Sequence, residues 1–537
     1  MIDNGMIYFA KKGPEERPDQ KIYLNPAMAN RHGFIGGATG TGKSVTLKVL
    51  AESFSQLGVP TFFSDVKGDM AGIAVPGEDN EGMQKRLDRF DIRDEFEYSG
   101  FPVTIYDIYG EKGIPLRTTV SEMGPLLMAQ VLDLNDVQSD LLTVSFKIAD
   151  DRGWLLDDMK DLKTLLTYIY DNADQFENEY GHITKTSMTT IIRAIVALEA
   201  EGADYFFGKP AIEISDFLGY GPGGKGMVNI LDSETLISKP KLYSAFMLYL
   251  LSELFEYFPE VGDIEVPKMV FFFDEAHCLF KNASKPLLEK IEQVVKLIRS
   301  KGIGLFFITQ SPGDIPAPVM AQLGNKIEHC LHAYTQAEKR VVKAAADSFR
   351  DNPEFNTEEV LQRLGTGEAV VSMLDEKGAP SVAEYVYVLP PESSLGTISD
   401  ETRDRLIKEA ILYSKYVNAK DDDSAYEQIN KINEETVAVQ EQEAAQAQEE
   451  KEAIAAEAQA AKKAEKEAKE QAKAEEKAQK EADRIEANVA KTTGSSVGRE
   501  VGKAVGEAVF GRKGRTIFGN IGSTIGRNLM GTLMKKK

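Results

Sequence analysis

Cysteine, histidine and long apolar runs are scarce in this sequence of 537 residues. The two cysteines, Cys278 and Cys330, are too few for a disulfide framework and lack metal-ligand spacing, and the five histidines are scattered. Residues 1–21 are polar and interrupted by proline, and no run of 18 apolar residues occurs, so we expect neither a secretory signal nor a membrane span. The sequence therefore predicts a protein of the reducing cytoplasm.

Positively charged residues are fewer than negatively charged ones. The chain has 63 lysines and arginines against 85 aspartates and glutamates, which gives a net charge of −22. Such a surface as a whole repels the phosphates of nucleic acid, so any contact with DNA has to come from local basic segments. Hydrophobic residues make up 42% of the chain, which is enough for a large core.

Glycine, by contrast, is concentrated in a loop that fits the pattern G-x-x-x-x-G-K-[ST]. The glycines of such a loop let the backbone approach a polyphosphate and turn its N–H groups inward. The lysine can reach the β- and γ-phosphates, and the serine hydroxyl can ligate Mg²⁺. A short apolar strand precedes the loop, and apolar residues recur at helical spacing after it as far as Gly58. We therefore predict a nucleotide-binding site at Gly37, Ala38, Thr39, Gly40, Thr41, Gly42, Lys43 and Ser44.

A second motif indicates which class of nucleotide enzyme this is. Residues 270–273 are an apolar strand that ends in Asp274 and Glu275. Asp274 is placed to hold Mg²⁺ through water, and Glu275 to orient and deprotonate the water that attacks the γ-phosphate. A later strand, Leu305–Thr309, ends in Gln310, which can sense the γ-phosphate or, alternatively, bond to its own loop. This order of motifs predicts an ATPase with a catalytic glutamate.

An arginine from a neighbouring subunit often assists phosphoryl transfer in such enzymes. The candidates here are Arg193, Arg299 and Arg340, of which Arg299 lies on the helix between the Asp-Glu strand and the next strand. The alternative for Arg299 is a solvated basic helix end, which the helix dipole favours.

Two further segments have less specific chemistry. Asp65, Lys67 and Asp69 follow the apolar strand Thr61–Ser64, which we expect to adjoin the phosphate-loop strand. This turn would then lie near the nucleotide or a subunit contact, with an ordinary glycine turn as the alternative. Residues 325–328, Asn-Lys-Ile-Glu, look like a guanine-specificity motif, but the catalytic glutamate argues against a GTPase.

Strands alternate with helices as far as about residue 395, which is typical of a mainly parallel sheet covered on both faces, an α/β fold. Helical runs without strand signals predict an all-helical insertion at 120–215. The expected core is then 1–119 and 216–395, followed by a helical transition at 396–431. The clearest strands are Thr61–Ser64, Val103–Tyr106, Met227–Leu231, Met269–Phe273, Leu305–Thr309 and Ala369–Ser372.

The remaining tail has two parts. Residues 432–490 are mostly Ala, Glu, Lys and Gln, which predicts a solvated helix or a partly disordered spacer, with a coiled coil as the alternative. Residues 491–537 are rich in glycine, and from 494 onward nine basic residues face Glu500 and Glu507, a charge of +7 that leaves −29 for the rest (−22 − 7). Valine and isoleucine stripes beside glycines predict two amphipathic helices that bind an anionic membrane or a protein partner, or pack on themselves.

These residues together resemble the HerA/FtsK superfamily of hexameric ATPases, and more narrowly the bacterial HerA-like proteins once grouped under a domain of unknown function. The resemblance covers about residues 5–395. It rests on Gly36–Ser44, Asp65–Asp69, Leu251–Glu256, Phe271–His277, Leu288–Val295, Leu297–Gly302 and Asp375–Gly378.

The resemblance implies a RecA-like P-loop ATPase that uses ATP and Mg²⁺ and assembles as a homohexameric ring with nucleotide between subunits. Lys43 and Ser44 match the family's phosphate and magnesium positions, and Asp274 and Glu275 its metal and catalytic-base positions. Gln310 matches its sensor. Archaeal HerA helicases carry an N-terminal β-barrel, whereas about 30 residues precede the phosphate loop here.

Two functions from different classes follow. The first is a DNA translocase or helicase, which the superfamily and the basic residues Lys290, Lys296, Arg299 and Lys301 favour. The alternative is an ATP-driven assembly or scaffold protein whose spacer holds the basic end on a membrane or a protein partner. A nucleoside or small-molecule kinase is a third and weaker reading.

Overall fold

The computed structural model describes residues 1–13, 20–262, 264–281, 283 and 285–489, with the backbone alone at 286 and 483–489. The strands of this part of the chain join in one sheet. They are β1 (Ile2–Asp3), β2 (Met6–Lys12), β3 (Lys21–Leu24), β4 (Gly33–Gly36), β5 (Thr61–Asp65), β6 (Val103–Asp107), β7 (Ile114–Pro115), β8 (Val228–Asp232), β9 (Met269–Phe273), β10 (Ile303–Thr309), β11 (Asn325–Glu328), β12 (Glu368–Ser372) and β13 (Glu384–Val388).

Helices connect these strands and cover the sheet. They are α1 (Lys43–Gln56), α2 (Glu81–Phe90), α3 (Val120–Val131), α4 (Asp136–Arg152), α5 (Met159–Asp171), α6 (Ala173–Tyr180), α7 (Lys185–Glu199), α8 (Ala203–Phe206), α9 (Pro240–Tyr257), α10 (His277–Lys281), α11 (Lys285–Ile298), α12 (Ala317–Met320), α13 (Gln336–Asp347), α14 (Thr357–Leu361), α15 (Asp400–Glu409), α16 (Tyr413–Tyr416) and α17 (Ala425–Val489). Helices α3 to α8 follow one another between β7 and β8. The domain limits that the sequence predicts stay predictions.

The middle of the sheet is parallel and the flank that begins with β12 is antiparallel. The parallel strands run in the order β11-β4-β10-β9-β5-β8-β6, with β7 beside β6. Beyond β11 come β12, β13, β2 and β1, each antiparallel to its neighbour, and β3 also pairs with β2. The α/β class and the mainly parallel sheet that the sequence predicts are confirmed.

Both faces of the central strands are buried, as their nearly continuous apolar sequences predict. Along β9, Val270 and Phe272 pack into the core under α1, whereas Phe271 and Phe273 pack into the core under α9 and α11. Alternate residues of a strand point to opposite faces, so a run of phenylalanines supplies both cores. The apolar faces of the helices that follow β7 extend the second core.

The expectation that β5 adjoins the phosphate-loop strand is wrong. β5 pairs with β8 and β9, whereas β4 pairs with β10 and β11. Succession along the chain favours neighbouring strands but does not require them. The strands β4, β5, β9 and β10 are all buried along their whole length, so burial by itself does not determine which of them are neighbours.

The segment after the sheet is tied to the body by polar contacts. Arg403 of α15 places Nη1 3.2 Å from Asp232 Oδ2. Ser424 Oγ and the N–H of Tyr426 donate to Asp161 Oδ1 of α5, at 2.5 and 2.9 Å. The first turns of α17 therefore belong to the same folded unit as the sheet.

The chain divides into two compact units, Met1–Glu434 and Glu435–Lys537. In the second unit, the described residues 435–489 continue α17, and their side chains are exposed as far as residue 482. Glutamates four residues before lysines form ion pairs of 2.6 Å at Glu465–Lys469 and Glu476–Lys480, the orientation that stabilises a solvated helix. The amphipathic helices predicted within 491–537 lie outside the described residues.

No helix in the described part of the chain combines the length and the apolar character needed to cross a bilayer.

Candidate functional site

The phosphate loop leaves β4 at the carboxyl edge of the sheet and ends at the first turn of α1. Gly37 and Gly42 have φ values of 141° and 118°, in the left-handed region. A Cβ on Gly37 would lie 2.6 Å from the Cβ of His329, and one on Gly42 would lie 2.9 Å from the N of Gly367. Backbone conformation and close approach thus require glycine at both positions.

The start of α1 presents hydrogen-bond donors to the loop. The first hydrogen bond of the helix runs from the N–H of Thr46 to the carbonyl of Gly42, at 3.1 Å. The N–H groups of Lys43 and Ser44 precede it and therefore have no acceptor within the helix. The positive end of the helix dipole adds to them. This donor set fits a polyphosphate, and the Ser44 hydroxyl in the first turn fits a magnesium ligand.

Lys43 bends back over the loop that precedes it. Its ammonium donates to the carbonyls of Gly37 and Ala38, at 2.5 and 2.9 Å. Burial, together with the nearby charge of Lys67, lowers the pKa of Lys43. The ammonium therefore lies at the mouth of the loop, where the motif places the β- and γ-phosphates.

Asp274 and Glu275 follow directly on β9 and are both buried, with exposed fractions of 8% and 5%. Glu275 has a φ of 47°, a left-handed conformation that is rare for a residue with a side chain. The N–H of Glu275 donates to Asp274 Oδ1 at 2.9 Å, and the N–H of Ala276 donates to the carbonyl of Ile308 at 2.8 Å. The turn is thus anchored on both sides, which fixes the direction of the Glu275 side chain.

Two side chains bond to Oε1 of the Glu275 carboxylate, and a third lies close to Oε2, which accepts no hydrogen bond from the described residues. Gln310 Nε2 donates to Oε1 at 3.0 Å, Lys67 Nζ lies 3.2 Å from the same oxygen, and His277 Nδ1 lies 3.3 Å from Oε2. Burial by itself raises the pKa of Glu275, but the Gln310 hydrogen bond and the Lys67 charge outweigh burial and leave this pKa below its usual value. Glu275 is therefore a carboxylate at neutral pH.

Gln310 joins the phosphate loop to Glu275. Its Oε1 accepts a hydrogen bond of 3.2 Å from Thr39 Oγ1, while its Nε2 donates to Glu275. The register of β4 and β10 explains this position, since Gly36 lies opposite Thr309. Gln310 thus bonds to Thr39 and Glu275 across the site, and its role as a sensor stays a prediction.

Asp274 is the second acid of the pair. Burial raises its pKa to about 6, although the charge of Lys67, 3.8 Å away, acts in the opposite direction. Such a buried carboxylate has few partners of its own and is suited to hold a hydrated cation. The assignment of Asp274 and Ser44 as metal ligands stays a prediction.

The turn after β5 brings Lys67 to this pair of acids. Asp65 accepts the N–H groups of Lys67 and Gly68 on Oδ1, at 3.1 and 2.9 Å, and that of Met70 on Oδ2 at 3.0 Å. Gly68 has a φ of 72°, which the turn requires. The sequence motif thus lies at the site, as predicted, although β5 is not the neighbour of β4.

A buried layer under the loop was not foreseen from the sequence. His329 Nδ1 donates to the carbonyl of Glu368 at 2.8 Å, so Nε2 accepts the hydroxyl of Thr46 at 2.9 Å. Burial lowers the pKa of His329 to about 4, which keeps the ring neutral. The fully buried Glu328 lies opposite Gly36, and burial raises its pKa to about 8. A polar residue at a strand end next to the phosphate-loop strand is the signal that could have identified them.

The three predicted arginines have no hydrogen bond or ion pair to the site residues described above. Arg193, Arg299 and Arg340 are exposed. Arg299 comes shortly before β10 begins, at the opposite edge of the sheet from Gln310. Its catalytic role in a neighbouring subunit therefore stays a prediction. Asn325, in the segment that looks like a guanine motif, is buried and donates from Nδ2 to the carbonyls of Met28 and His32.

Residues 10–523 match the family model described as Helicase HerA-like C-terminal. The chain belongs to this HerA-like family. It is similar to a protein of Sulfolobus acidocaldarius named DNA double-strand break repair helicase HerA, with 20% identity over 364 residues. The match covers 65% of this chain and 63% of the archaeal protein, so the chain spans less than two thirds of that relative.

The structure of the HerA-like chain is similar to several solved structures, among them TrwB and VirB4. The plasmid coupling protein TrwB in complex with ADP and Mg²⁺ has a TM-score of 0.46 at 14% identity, covering 70% of this chain and 89% of TrwB. VirB4 of Thermoanaerobacter pseudethanolicus has a TM-score of 0.44 at 16% identity, covering 72% of this chain and 97% of VirB4.

Proposed function

We propose that this HerA-like protein hydrolyses ATP in the presence of Mg²⁺ and uses the reaction to move along or unwind DNA as a ring. The observation that supports hydrolysis most directly is the hydrogen-bonded connection from Thr39 of the phosphate loop through Gln310 to Glu275. It joins the phosphate-binding elements to a buried carboxylate that can activate water.

Each residue has a role that its position supports. The backbone N–H groups and Lys43 bind the phosphates, while Ser44 and Asp274 hold the metal ion, which supplies charge neutralisation when bound. Glu275 takes the proton of the attacking water as the bond between the γ-phosphorus and the ADP oxygen breaks. Gln310 keeps Glu275 in place and contacts the γ-phosphate.

DNA as the substrate has separate support. The archaeal relative is named for a DNA repair helicase, and the basic residues of the α11 region include the exposed Lys296 and Arg299. Lys301 contributes less to this surface than the sequence suggests, since its ammonium donates to the carbonyl of Phe258 at 2.6 Å. The proposal of DNA as substrate thus depends mainly on the family and on two exposed cations.

The test is the steady-state ATPase rate with no DNA, with duplex DNA and with single-stranded DNA. We expect hydrolysis that requires Mg²⁺ and increases with one form of DNA. Glu275→Gln serves as the control for contaminating ATPases, because it retains the fold and shape of the site. A protein that hydrolyses ATP at one rate in all three conditions would contradict the DNA part of the proposal alone.

The alternative is an ATP-driven assembly protein whose C-terminal segment binds a membrane or another protein. It is favoured by the net charge of −22 and by the long exposed helix α17, which precedes residues 491–537 in the sequence. Co-sedimentation of the full chain with anionic liposomes distinguishes the two proposals. Liposome binding without any effect of DNA on the ATPase rate would favour assembly.

A further inference from the structure

Lys67 brings its ammonium to both acids of the site. Nζ lies 3.2 Å from Glu275 Oε1 and 3.8 Å from Asp274 Oδ2. The Lys67 side chain is 38% exposed, whereas those of Asp274 and Glu275 are 11% and 7% exposed. The ammonium therefore forms the solvent side of a buried acidic pair.

These contacts conflict with the work proposed for the two acids. A general base needs a basic oxygen that is free to take a proton from water. Glu275 Oε1 already accepts from Gln310 and from Lys67, and both contacts lower the basicity of the carboxylate. At Asp274, an ammonium competes with a metal ion for the same negative charge. Glu275 Oε2 accepts no hydrogen bond from the described residues, so the conflict lies in the lowered basicity of the carboxylate and in the competition at Asp274. Both end when Lys67 moves away from the acids.

We propose that Lys67 exchanges its ammonium between the Asp274–Glu275 pair and the γ-phosphate of ATP. This inference rests on the function proposed above. While paired with the acids, Lys67 restrains Glu275. Once Lys67 has turned to the γ-phosphate, Glu275 keeps Gln310 as a partner on Oε1 and becomes more basic toward the attacking water. Since ADP has no γ-phosphate, Lys67 makes the site prefer ATP over ADP.

The local structure allows this exchange. The turn that carries Lys67 is fixed by the three N–H groups that Asp65 accepts, so the motion is confined to the side chain. A lysine has a flexible four-carbon stem and three donors that can move from one anion to another. The other titratable or charged groups near Lys67 and its acids are Asp69, Lys43 and His277.

The experiment measures the dissociation constants of ADP and of a non-hydrolysable ATP analogue, both with Mg²⁺, by fluorescence titration of the full chain. We expect Lys67→Gln to weaken the ATP analogue about tenfold, the effect of losing one charged hydrogen bond. ADP affinity should change by less than about twofold, because the phosphates of ADP are bound by the loop. Lys67→Arg keeps the cation and should keep the preference for ATP.

Lys163→Gln is the matched control. Its side chain is also 38% exposed, and it forms a 2.7 Å ion pair with Glu199 within the helices α5 and α7. This substitution removes the same charge from the chain and should change neither dissociation constant.

An unchanged ratio of the two dissociation constants in Lys67→Gln would overturn the inference, and so would an equal loss for both nucleotides. If Lys67→Gln lowers the melting temperature enough to prevent titration, the same ratio is measured in Lys67→Met. A wild-type protein that binds neither nucleotide would contradict the proposed function and this inference with it. If the wild type binds both nucleotides and Lys67→Gln prefers the ATP analogue over ADP as strongly as the wild type does, only the inference is contradicted.

Discussion

In the proposed reaction, Lys43 contacts the phosphates and Glu275 activates the attacking water. Lys43 lies over the loop, whereas Glu275 follows the next strand but one and is held by Gln310. The two side chains therefore act on different parts of the same substrate, and their loss should have different consequences.

We expect Lys43→Ala to abolish measurable nucleotide binding, since the loop loses its cation. Glu275→Gln should bind ATP as tightly as the wild type but hydrolyse it at least about 100-fold more slowly, because an amide cannot take the proton. Nucleotide titration and phosphate release measure the two effects separately. Turnover of Glu275→Gln at the wild-type rate would show that the catalytic assignment is wrong.

Glu328 makes stability depend on pH. Burial raises its pKa from 4.5 to about 8. Between these values the folded protein holds a proton that the unfolded chain has released. The free energy of unfolding thus falls as the pH rises through this window, by at most about 1.4 kcal/mol per pH unit from this group.

Glu328→Gln should remove this contribution and leave a flatter dependence of the melting temperature on pH. The measurement is thermal unfolding at about pH 6 and pH 8, within the window between the two pKa values. Glu376→Gln, on an exposed turn, is the control and should keep the wild-type slope. Equal slopes in wild type and Glu328→Gln would argue that Glu328 is ionised in the folded protein.

At the scale of elements, the sequence predicts those features whose residues all lie in one short segment. The phosphate loop and the pair Asp274–Glu275 are local motifs, and the strand that includes Phe271–Phe273 is apolar enough to identify by itself. The roles proposed for the residues in these motifs follow from their spacing along the chain.

What the sequence could not provide is the arrangement of elements that are distant in the chain. β5 was expected beside β4, and only the sheet order shows that β9 and β10 lie between them. The contact of Lys67 with Glu275 depends on that order, and the layer of Glu328 and His329 depends on β11 being the other neighbour of β4. The composition of a single segment does not show which distant strand it pairs with.

Helix α1 has a second polar face, directed away from the nucleotide site. Lys48 donates to the carbonyl of Ser394 at 2.6 Å, and Gln56 donates to the Glu392 side chain at 2.8 Å. Between them, the fully buried Glu52 accepts the N–H groups of Glu392 and Ser393, at 2.8 and 3.1 Å, and the Ser393 hydroxyl. This row of side chains ties the phosphate-loop helix to the chain segment after β13.

Glu52→Ala should lower the free energy of unfolding by at least about 2 kcal/mol, because it leaves several buried donors without an acceptor. Gln56→Ala, at the end of the same row and less buried, is the control and should cost about 1 kcal/mol or less. Urea unfolding of both variants measures the difference. Equal losses would mean that Glu52 contributes little beyond an ordinary surface contact.

At the scale of the whole molecule, we expect a ring, and specifically a hexamer. The three candidate arginines are exposed, and Arg299 lies at the edge of the sheet opposite to Gln310, so an arginine for phosphoryl transfer would come from a neighbouring copy. Light scattering with a non-hydrolysable ATP analogue at high protein concentration measures the assembly. A monomer with full ATPase activity would contradict both the ring and the shared arginine.

The same assembly gives a test for Arg299. Arg299→Ala should lower the ATPase rate while leaving the dissociation constant of ATP unchanged, because the residue acts on a neighbouring site. Arg193→Ala and Arg340→Ala are the comparison, and the variant with the largest loss of rate identifies the arginine. Loss of nucleotide binding in Arg299→Ala would instead indicate a structural role.

The pairing of early and late segments also has a consequence for biosynthesis. The phosphate loop is made within the first 44 residues, but β10 and β11, its flanking strands, come from residues 303–328. The segment bound by Glu52 comes later still, at residues 392 and 393. A nascent chain therefore carries its nucleotide loop for most of translation beside open strand edges, which are prone to wrong pairing. The nucleotide site of such a chain is incomplete, and the contacts around the phosphate-loop helix can form only after residues 392 and 393 have been made.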